Sequence, residues 1–428
     1  MPKILFRNAR LLFLLPHVSL SFGDVLIVGN RIAKIGVSLP VEKDMEVIDC
    51  DGNLLMPGFK NAHAHSAMPF ARSCSDGFKL WDWLNQVIFP MEETLRPGDI
   101  YHLSKVSFLE YLTSGITACF DMYLNPEEQA QSAKDFGMRS VVLLQPAGFP
   151  ERYETYKDKY FNGHMKDGLV TYQLGFHAEY TTKPEDLKKT AELAKFYHLP
   201  VYTHCNETLK DVSSCIERNR SMRPIEYLDG FGLFDYGGGI FHGTYLSESE
   251  LTILHDRHVG VVTNPGSNSK LASGIAHLLY YIQKGLLIGI GTDGAGSNNS
   301  LDMFYEMRLA AVLQKIQNGD PIALDALEVL TMATVHSAQI MGLAECLDLK
   351  EGQLADLILI DLERPSMQPI NDIPRNLVYA GSKDCIKLTM IDGKILYRDG
   401  KFFVGEDIRD IYRKAQEITD RLKLAKRL

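Results

Sequence analysis

The stretch PGFKNAHAH, residues 57–65, follows an apolar, strand-like segment and places two histidines two residues apart. Side chains at positions i and i+2 of a β-strand point to the same face of the sheet. His63 and His65 could therefore bind one ion together. An H-x-H pair alone is more typical of packed or surface histidines than of metal ligands. A metal site is therefore predicted only if other segments supply further ligands.

Three downstream segments supply the further groups that such an ion would need. They are residues 203–207 (THCNE), 241–243 (FHG) and 291–294 (GTDG). Taken alone, His204 is more typical of a buried, hydrogen-bonded histidine, and Asp293 of a turn residue. However, His63, His204, His242 and Asp293 each follow a short β-like run. This recurrence predicts a hydrolytic metal site that is built at the ends of strands.

Length and composition indicate a globular protein with more than one structural unit. The 428 residues are 45% hydrophobic and 23% charged, which suits a barrel of about 250 residues together with a smaller domain. The net charge of -9, with dispersed basic residues, argues against nucleic acid as a partner.

Cysteine usage and the N-terminal segment indicate the compartment. The seven cysteines are scattered and contain no C-x-x-C pair, which is typical of a reducing cytoplasm. The apolar residues 11–16 are too short for a membrane span or a signal segment, and we expect a strand there. We therefore expect a cytoplasmic protein that does not bind membranes.

The two ends of the chain differ from its middle. Gly29-Asn30 lies between two β-like runs and predicts a hairpin, and residues 357–400 repeat this pattern. Residues 57–350 instead alternate strands with longer helical patterns, with helices predicted at 104–113, 125–136, 184–197 and 248–255. We predict a (β/α)8 barrel for residues 57–350 and a composite β domain from residues 1–56 and 351–428. In such a barrel the carboxyl ends of the strands converge on one mouth.

Several motifs together resemble the amidohydrolase superfamily, in its branch of metal-dependent nucleobase and nucleoside deaminases and chlorohydrolases. The resemblance spans nearly the whole chain and is closest to S-adenosylhomocysteine and methylthioadenosine deaminases. The matching segments are 56–65 (MPGFKNAHAH), 204–207 (HCNE), 242–243 (HG), 264–271 (NPGSNSKL), 291–294 (GTDG), Ala333-Thr334, Gly342 and 352–357 (GQLADL).

The resemblance implies a TIM-like (β/α)8 barrel, a small β-sandwich domain formed by both termini, and one divalent metal ion. By residue-to-residue match, the metal ligands are His63, His65, His204 and Asp293. No lysine stands where binuclear relatives carry a bridging one, so we expect a single ion. Zinc is favoured by this ligand set, and iron and manganese stay open.

The expected chemistry follows from these groups. The ion would lower the pKa of its water towards about 7, so that a metal-bound hydroxide attacks a ring carbon and ammonia is released. Glu207 would protonate the ring nitrogen, the alternative being a structural glutamate. Asp293 would take the proton of the attacking water, and His242 would steady the hydroxyl or the developing oxyanion.

Residues that contact the substrate are expected from the same resemblance. Trp83 would stack on the base, Glu92 would bind the ribose hydroxyls and His177 would contact the purine. The alternative for Trp83 and Glu92 is a core tryptophan and a solvated helix acid. Gln145 stands where carboxylate-binding relatives tend to place an arginine; Arg152 is a candidate replacement, the alternative being an exposed loop arginine.

One further acid bears on the charge of the substrate. Glu179 would add negative charge to the mouth and favour a neutral or cationic substrate.

The function that we predict is hydrolytic deamination of an aminated heterocycle, with a purine nucleoside such as an adenosine derivative as the first choice. The alternatives are a guanine, pterin or cytosine deaminase, or a triazine-type chlorohydrolase or aminohydrolase. A non-catalytic scaffold is disfavoured, because all four predicted ligands are present together with Glu207. The expected partner is a small heterocyclic substrate, and the resemblance also implies a homo-oligomer.

Overall fold

A computed structural model describes residues 1–74 and 76–426 of the chain. Within these residues the β-strands form two sheets. The strands are β1 (Lys3–Phe13), β2 (Ser19–Val28), β3 (Arg31–Gly36), β4 (Met45–Asp49), β5 (Leu54–Pro57), β6 (Phe59–His65), β7 (Ile116–Asp121), β8 (Arg139–Leu144), β9 (Lys166–Asp167), β10 (Val170–Ala178), β11 (Val201–Cys205), β12 (Gly238–His242), β13 (Val259–Thr263), β14 (Ile288–Ile290), β15 (Asp293–Gly294), β16 (Leu357–Ile360), β17 (Ile386–Ile391), β18 (Lys394–Arg398) and β19 (Lys401–Phe402).

The helices mostly follow the strands of the middle region. They are α1 (Leu80–Trp83), α2 (Phe89–Glu92), α3 (Asp99–Thr113), α4 (Pro126–Phe136), α5 (Pro150–Tyr156), α6 (Pro184–Tyr197), α7 (Leu209–Arg218), α8 (Pro224–Asp229), α9 (Glu248–Asp256), α10 (Pro265–Lys270), α11 (Leu278–Gln283), α12 (Met303–Asn318), α13 (Ala326–Thr331), α14 (Ser337–Ile340), α15 (Ile373–Tyr379) and α16 (Ile408–Lys426). Short 3-10 helices are Met68–Ala71, Glu179–Thr181, Pro365–Met367 and Lys383–Cys385, and π-helical turns are Leu84–Ile88, Lys157–Phe161 and Met332–His336. Across residues 1–74 and 76–426, no helix has both the length and the apolar character that a membrane span requires.

The middle of the chain forms a closed parallel barrel. Strands β6, β7, β8, β10, β11, β12, β13 and β14 pair in this order, and β15 pairs back with β6 and closes the ring. Strands such as β7 and β13 are buried along their whole length, which is typical of parallel strands that are covered on both faces. The predicted (β/α)8 barrel is therefore confirmed.

The predicted helices are present with small shifts at their ends. The predicted helix at 104–113 begins earlier, at Asp99, whereas that at 184–197 has the predicted bounds. Helix α4 begins after Asn125, whose side chain accepts a hydrogen bond from the Glu128 amide, and it ends at Gly137 with φ 89°. Local capping chemistry thus fixes the positions at which the chain returns to the barrel.

The second sheet combines both termini. Its order is β19, β18, β17, β16, β5, β1, β2 and β3, with β4 paired to β1. The predicted hairpin between β2 and β3 is present, and Gly29 in its turn has φ 64°. The buried side chain of Arg139 on β8 donates two hydrogen bonds, of 2.6 and 3.0 Å, to Asp356 just before β16. This pair attaches the terminal sheet to the end of the barrel opposite the predicted metal ligands.

The sheet from both termini is confirmed, whereas the predicted domain limits, 1–56 with 351–428 and 57–350, stay a prediction. Residues 427 and 428 lie outside the described residues.

Candidate active site

A cavity of about 400 Å³ opens at the carboxyl ends of the barrel strands. Nine of the ten predicted site residues line it, and the tenth, His63, is completely buried beside them. The predicted lining residues are His65, Trp83, Glu92, Arg152, His177, His204, Glu207, His242 and Asp293. The barrel therefore brings together side chains that are up to 230 positions apart in the sequence, from His63 to Asp293.

The four predicted metal ligands surround one point. The Nε2 atoms of His65 and His204 lie 3.3 Å apart. Asp293 Oδ1 lies 3.4 Å from His63 Nε2 and 3.2 Å from His65 Nε2. Two ligands that are each about 2.1 Å from one ion, at a tetrahedral angle, would be about 3.4 Å apart. The spacing of these atoms therefore suits one shared cation.

The unpaired ring nitrogens of His63 are a second observation that indicates a cation site. Both of its ring nitrogens are buried, and neither has a hydrogen-bond partner among residues 1–74 and 76–426. Burial lowers the pKa of His63 to about 3, so the ring is neutral and can donate a lone pair. Buried polar atoms are rarely left unpaired, and a bound cation would give one of these nitrogens its partner. The donor set thus fits a divalent metal ion.

Backbone carbonyl groups orient the other two predicted ligand histidines. The Nδ1 atom of His65 lies 2.6 Å from the carbonyl oxygen of Met122, and that of His204 lies 2.7 Å from the carbonyl oxygen of His177. A carbonyl oxygen can only accept, so each Nδ1 carries the proton and each Nε2 presents its lone pair. Both rings are therefore set in the tautomer that binds metal through Nε2.

Asp293 is held from the side that faces away from the histidines. The hydroxyl groups of Ser267 and Ser297 donate to its Oδ2 atom at 2.6 and 2.8 Å. Burial opposes ionisation, but the close imidazole rings of His63 and His65 outweigh it and hold the pKa of Asp293 well below its usual value. The carboxylate is thus charged, with Oδ1 directed to the ligand cluster.

Glu207 and His242 are two further buried groups beside the four predicted ligands. His242 Nε2 lies 3.6 Å from Glu207 Oε2, and the hydroxyl group of Ser273 donates to Glu207 Oε1 at 3.3 Å. Burial, together with the negative charges of Asp211 and Asp293, raises the pKa of Glu207 well above its usual value. Glu207 is therefore suited to carry a proton at neutral pH.

The Nδ1 atom of His242 lies 2.8 Å from the side-chain oxygen of Asn268. In this arrangement Nδ1 donates its proton to the amide oxygen, and Nε2 presents a lone pair to the cavity. Burial lowers the pKa of His242, so the ring is neutral. His242 can therefore accept a hydrogen bond from a group in the cavity but cannot donate one through Nε2.

The far wall of the cavity consists mainly of apolar side chains from the irregular segments after β6, β7 and β8. Trp83 is 4% exposed and packs with Met68 and Leu84, while Glu92 is partly buried at the end of α2. Burial raises the pKa of Glu92 to about 7. Glu92 is therefore not the fully solvated acid of the alternative prediction.

His177 and Arg152 also line the cavity. The ring of His177 lies 4.8 Å from that of His204, and its Nδ1 atom is 3.0 Å from the hydroxyl oxygen of Thr181. The guanidinium of Arg152 lies 3.7 Å from the centre of the Phe149 ring and donates to the carbonyl oxygens of Gln145 and Leu124 at 3.3 and 3.0 Å. Arg152 therefore joins the two connections that follow β7 and β8, as well as lining the cavity.

A sequence model of the amidohydrolase family matches residues 54–396, which include every residue of the cavity. The chain belongs to the amidohydrolase family. Members of this family are metal-dependent hydrolases. In agreement, one ligand atom from each of His63, His204, His242 and Asp293 lies within 4.8 Å of the others, so His242 lies beside the predicted ligands.

Individual amidohydrolases are similar to this one over nearly their whole length. The chain is 38% identical over 383 residues to the 5-methylthioadenosine/S-adenosylhomocysteine deaminase of Pelotomaculum thermopropionicum, covering 87% of this chain and 88% of the relative. It is 36% identical over 395 residues to the 5'-deoxyadenosine deaminase of Methanothermobacter thermautotrophicus, covering 90% and 91%. The crystal structure of an adenosine deaminase from Xanthomonas campestris with bound zinc superposes with a TM-score of 0.92 at 28% identity, covering 99% of both chains. This amidohydrolase is therefore an enzyme that hydrolyses carbon–nitrogen bonds.

The expectation for Glu179 is wrong. Its side chain is 8% exposed and accepts hydrogen bonds from Arg218 at 2.6 Å and from Asn219 at 2.8 Å. The 3-10 turn Glu179–Thr181 directs it towards α7, so its charge is neutralised within the protein and does not face the cavity mouth.

Sequence reasoning also missed residues that hydrogen-bond to the predicted site residues. Ser267, Asn268 and Ser297 contact Asp293 or His242, although the segment 264–271 had been recognised as part of the family pattern. The available signal was a run of small polar residues directly after β13, at the same end of the barrel as the ligands. Phe149 and Tyr123 in the wall gave no such signal, because they lie in irregular segments.

Proposed function

We propose that this amidohydrolase removes the exocyclic amino group of an adenosine derivative by hydrolysis and releases ammonia. The observation that carries the proposal is the arrangement of the cavity, with a buried proton donor, Glu207, beside the ligand cluster at one end and Glu92 at the wall. Similarity to deaminases that act on 5-methylthioadenosine and on 5'-deoxyadenosine supports the nucleoside class.

His63, His65, His204 and Asp293 would hold one divalent cation, and zinc is the first choice for three neutral imidazoles and one carboxylate. When bound, the cation supplies a nucleophile at neutral pH, because it lowers the pKa of a coordinated water to about 7. The bound zinc in the similar adenosine deaminase supports this choice of metal.

The protein groups would move protons in two stages. In the first stage a water oxygen bonds to the ring carbon that bears the amine, Asp293 accepts a proton from this water, and Glu207 donates its proton to the adjacent ring nitrogen. In the second stage Asp293 returns its proton to the amine, the carbon–nitrogen bond breaks and ammonia leaves. The hydroxyl proton of the tetrahedral carbon passes to Glu207, which restores the acid for the next turnover.

His242 would act as a hydrogen-bond acceptor in this scheme. His242 Nδ1 carries the ring proton and donates it to Asn268 Oδ1, so Nε2 is unprotonated. Nε2 can therefore accept a hydrogen bond from the hydroxyl group at the reacting carbon. Of the two roles expected from the sequence, steadying the hydroxyl is therefore favoured over donating to an oxyanion.

The wall residues would select the nucleoside. We assign Glu92 to the ribose hydroxyls, Trp83 and His177 to the purine, and Arg152 to the outer wall near the 5' substituent. Trp83 and Glu92 support this assignment because both reach the cavity. The apolar character of the wall around Phe149 favours a 5' substituent without an exposed charge.

An ammonia-release screen tests the proposal. The zinc-loaded protein would be offered 5'-deoxyadenosine, 5-methylthioadenosine, S-adenosylhomocysteine and adenosine, together with guanine, cytosine, pterins and chlorinated triazines. We expect ammonia from the adenosine derivatives, at rates well above those from free bases. Faster turnover of a free base or release of chloride would instead support one of the alternative reactions.

Two further expectations stay predictions. The protein would act in the cytoplasm on small molecules, since its cysteines are unpaired in the described residues. The homo-oligomer rests on family resemblance, and light scattering of the purified protein would test it.

A further inference from the structure

We propose that Glu306, which lies outside the cavity, is a positioning residue that holds Asp293 and His242 in the geometry needed for metal binding and deamination. The proposal rests on the proposed function insofar as Asp293 is taken as a metal ligand. Glu306 lies on α12 and is completely buried. It contacts neither the ligand histidines nor the cavity, so it would act through other residues.

Glu306 accepts hydrogen bonds from two separate segments. Its Oε2 atom accepts from the Gly266 amide at 2.8 Å, and its Oε1 atom accepts from the Asn298 side chain at 2.7 Å. One of these segments is α10 and the other is the turn after β15, and each contains a serine that donates to Asp293 Oδ2. One buried carboxyl group therefore links both segments that contact the predicted ligand.

The first route runs through helix α10. Gly266 is followed by Ser267, whose hydroxyl group donates to Asp293 Oδ2, and by Asn268, which orients His242. A Cβ atom at Gly266 would lie 2.3 Å from Glu306 Oε1, a distance that excludes any larger residue without movement. The close approach of this helix to Glu306 thus fixes two neighbouring side chains that touch the reacting groups.

The second route runs through Asn298. Its amide nitrogen donates both to Glu306 and to the carbonyl oxygen of Thr292 at 2.8 Å, directly before Asp293. The preceding residue, Ser297, donates to Asp293 Oδ2. The backbone at Asp293 has φ 59°, a left-handed conformation that non-glycine residues rarely adopt. Such a conformation persists only where the surrounding contacts enforce it, and this route supplies them.

Burial of Glu306 would be unfavourable without such a role. Moving a carboxyl group out of water costs free energy unless hydrogen bonds within the protein replace those to water. Burial also raises the pKa of Glu306 to about 8. An apolar residue of similar size would fill the same space at lower cost. The buried carboxyl group instead accepts from two donors, each in a segment that contacts Asp293.

The test uses the Glu306→Gln variant, which keeps the size but replaces one acceptor oxygen with an amide donor. Zinc affinity would be measured on metal-free protein by competition with a chelator, in the absence of substrate. We expect the dissociation constant for zinc to rise by roughly tenfold or more, as for other residues that orient metal ligands. The turnover number of the zinc-saturated variant should fall by a similar factor, with a smaller change in KM.

Asp24→Asn is the matched control. Asp24 is also buried and accepts two backbone hydrogen bonds, from Asn8 at 3.0 Å and Leu39 at 2.8 Å, but it lies in the terminal sheet. We expect this variant to lose thermal stability while its zinc affinity and turnover stay within about twofold of wild type. A general loss of packing would instead affect both variants alike.

A double-mutant cycle with Ser267→Ala separates positioning from a merely structural role. If Glu306 acts through α10, Glu306→Gln should weaken zinc binding less in the Ser267→Ala background than in wild type. Equal effects in both backgrounds, or a zinc affinity of Glu306→Gln within twofold of wild type, would overturn the proposal. Should Glu306→Gln fail to fold, Asn298→Ala removes the donor of the hydrogen bond to Glu306 Oε1. We expect the same loss of zinc affinity and of turnover for this variant.

These readouts distinguish the two proposals. A wild-type protein that binds zinc but releases no ammonia from adenosine derivatives would contradict the proposed function alone. An unchanged zinc affinity in Glu306→Gln would contradict the positioning role alone.

Discussion

The two ends of the cavity are built in different ways. At the inner end, His65, His204 and Asp293 lie on strands of the barrel, and carbonyl or hydroxyl groups of the protein fix their orientation. At the outer end, Glu92 and Arg152 lie on short helices within long connections. The outer wall is mostly apolar, whereas the inner end is mostly polar and buried.

We infer that this difference separates the residues of the proposed chemistry from those of substrate selection. Groups on closed barrel strands cannot move independently, so the reaction depends on a rigid arrangement. Connections tolerate changes of length and sequence, so a different wall can present a different substrate to the same reacting groups. Substitutions at the inner end should therefore abolish turnover, while those at the outer end should change which substrate is used.

The largest effect is expected from His204→Ala. Removal of one imidazole leaves three ligands, and we expect less than about a tenth of an ion per chain and a fall in turnover of more than about 10⁴-fold. Metal analysis after dialysis, followed by an ammonia assay, measures both. A variant that keeps a full complement of zinc would remove His204 from the ligand set.

Glu207→Gln should separate catalysis from metal binding. The amide cannot donate a proton as the buried acid does, so we expect about 10³-fold lower turnover at an unchanged zinc content. The comparison with His204→Ala is informative, because only one of the two variants should lose metal. Turnover within tenfold of wild type would contradict the role of Glu207 as the acid.

Glu92→Gln tests the outer end. A hydrogen bond to a charged group contributes about 1.5–3 kcal/mol, so kcat/KM for 5'-deoxyadenosine should fall by about 10- to 100-fold. The matched substrate is 2',3',5'-trideoxyadenosine, which lacks the ribose hydroxyls and should respond by less than about threefold. An equal loss with both substrates would place Glu92 away from the ribose.

The pKa of Glu92 predicts a dependence of KM on pH. Because burial raises this pKa to about 7, the carboxyl group is charged above pH 7 and neutral below it. The anionic form is the better acceptor for hydroxyl groups, so KM for the nucleoside should rise by about tenfold as the pH falls from 8 to 6. The Glu92→Gln variant serves as the control, and its KM should be nearly flat over this range. A KM that falls as the pH is lowered to 6 would contradict the prediction that the anionic form of Glu92 binds the nucleoside.

Arg152→Gln should have the smallest effect. The guanidinium is already engaged with Phe149 and two backbone carbonyl groups, so we expect less than about threefold lower kcat/KM for 5'-deoxyadenosine. S-adenosylhomocysteine provides the comparison, since its carboxylate could compete for the same group. A loss above tenfold that is confined to S-adenosylhomocysteine would show that Arg152 recognises this carboxylate.

The fold was predictable because barrel strands and helices alternate with clear boundaries. That His63, His65, His204 and Asp293 lie close together could be anticipated, because each lies at the end of a strand, where the topology brings separated segments together. Glu179 could not be placed from sequence, because a single 3-10 turn decides whether its side chain faces the cavity or Arg218. Glu306 was missed for a similar reason: in sequence it is one polar residue in a helix, and its two partners become visible only in three dimensions.

The most direct test of the central claim is the position of the metal in crystals of zinc-loaded protein, measured by anomalous scattering at the zinc absorption edge. The account predicts one peak at about 2.0–2.2 Å from a ring nitrogen of each of His63, His65 and His204 and from an oxygen of Asp293. A zinc peak elsewhere, or no peak among these four residues, would contradict it.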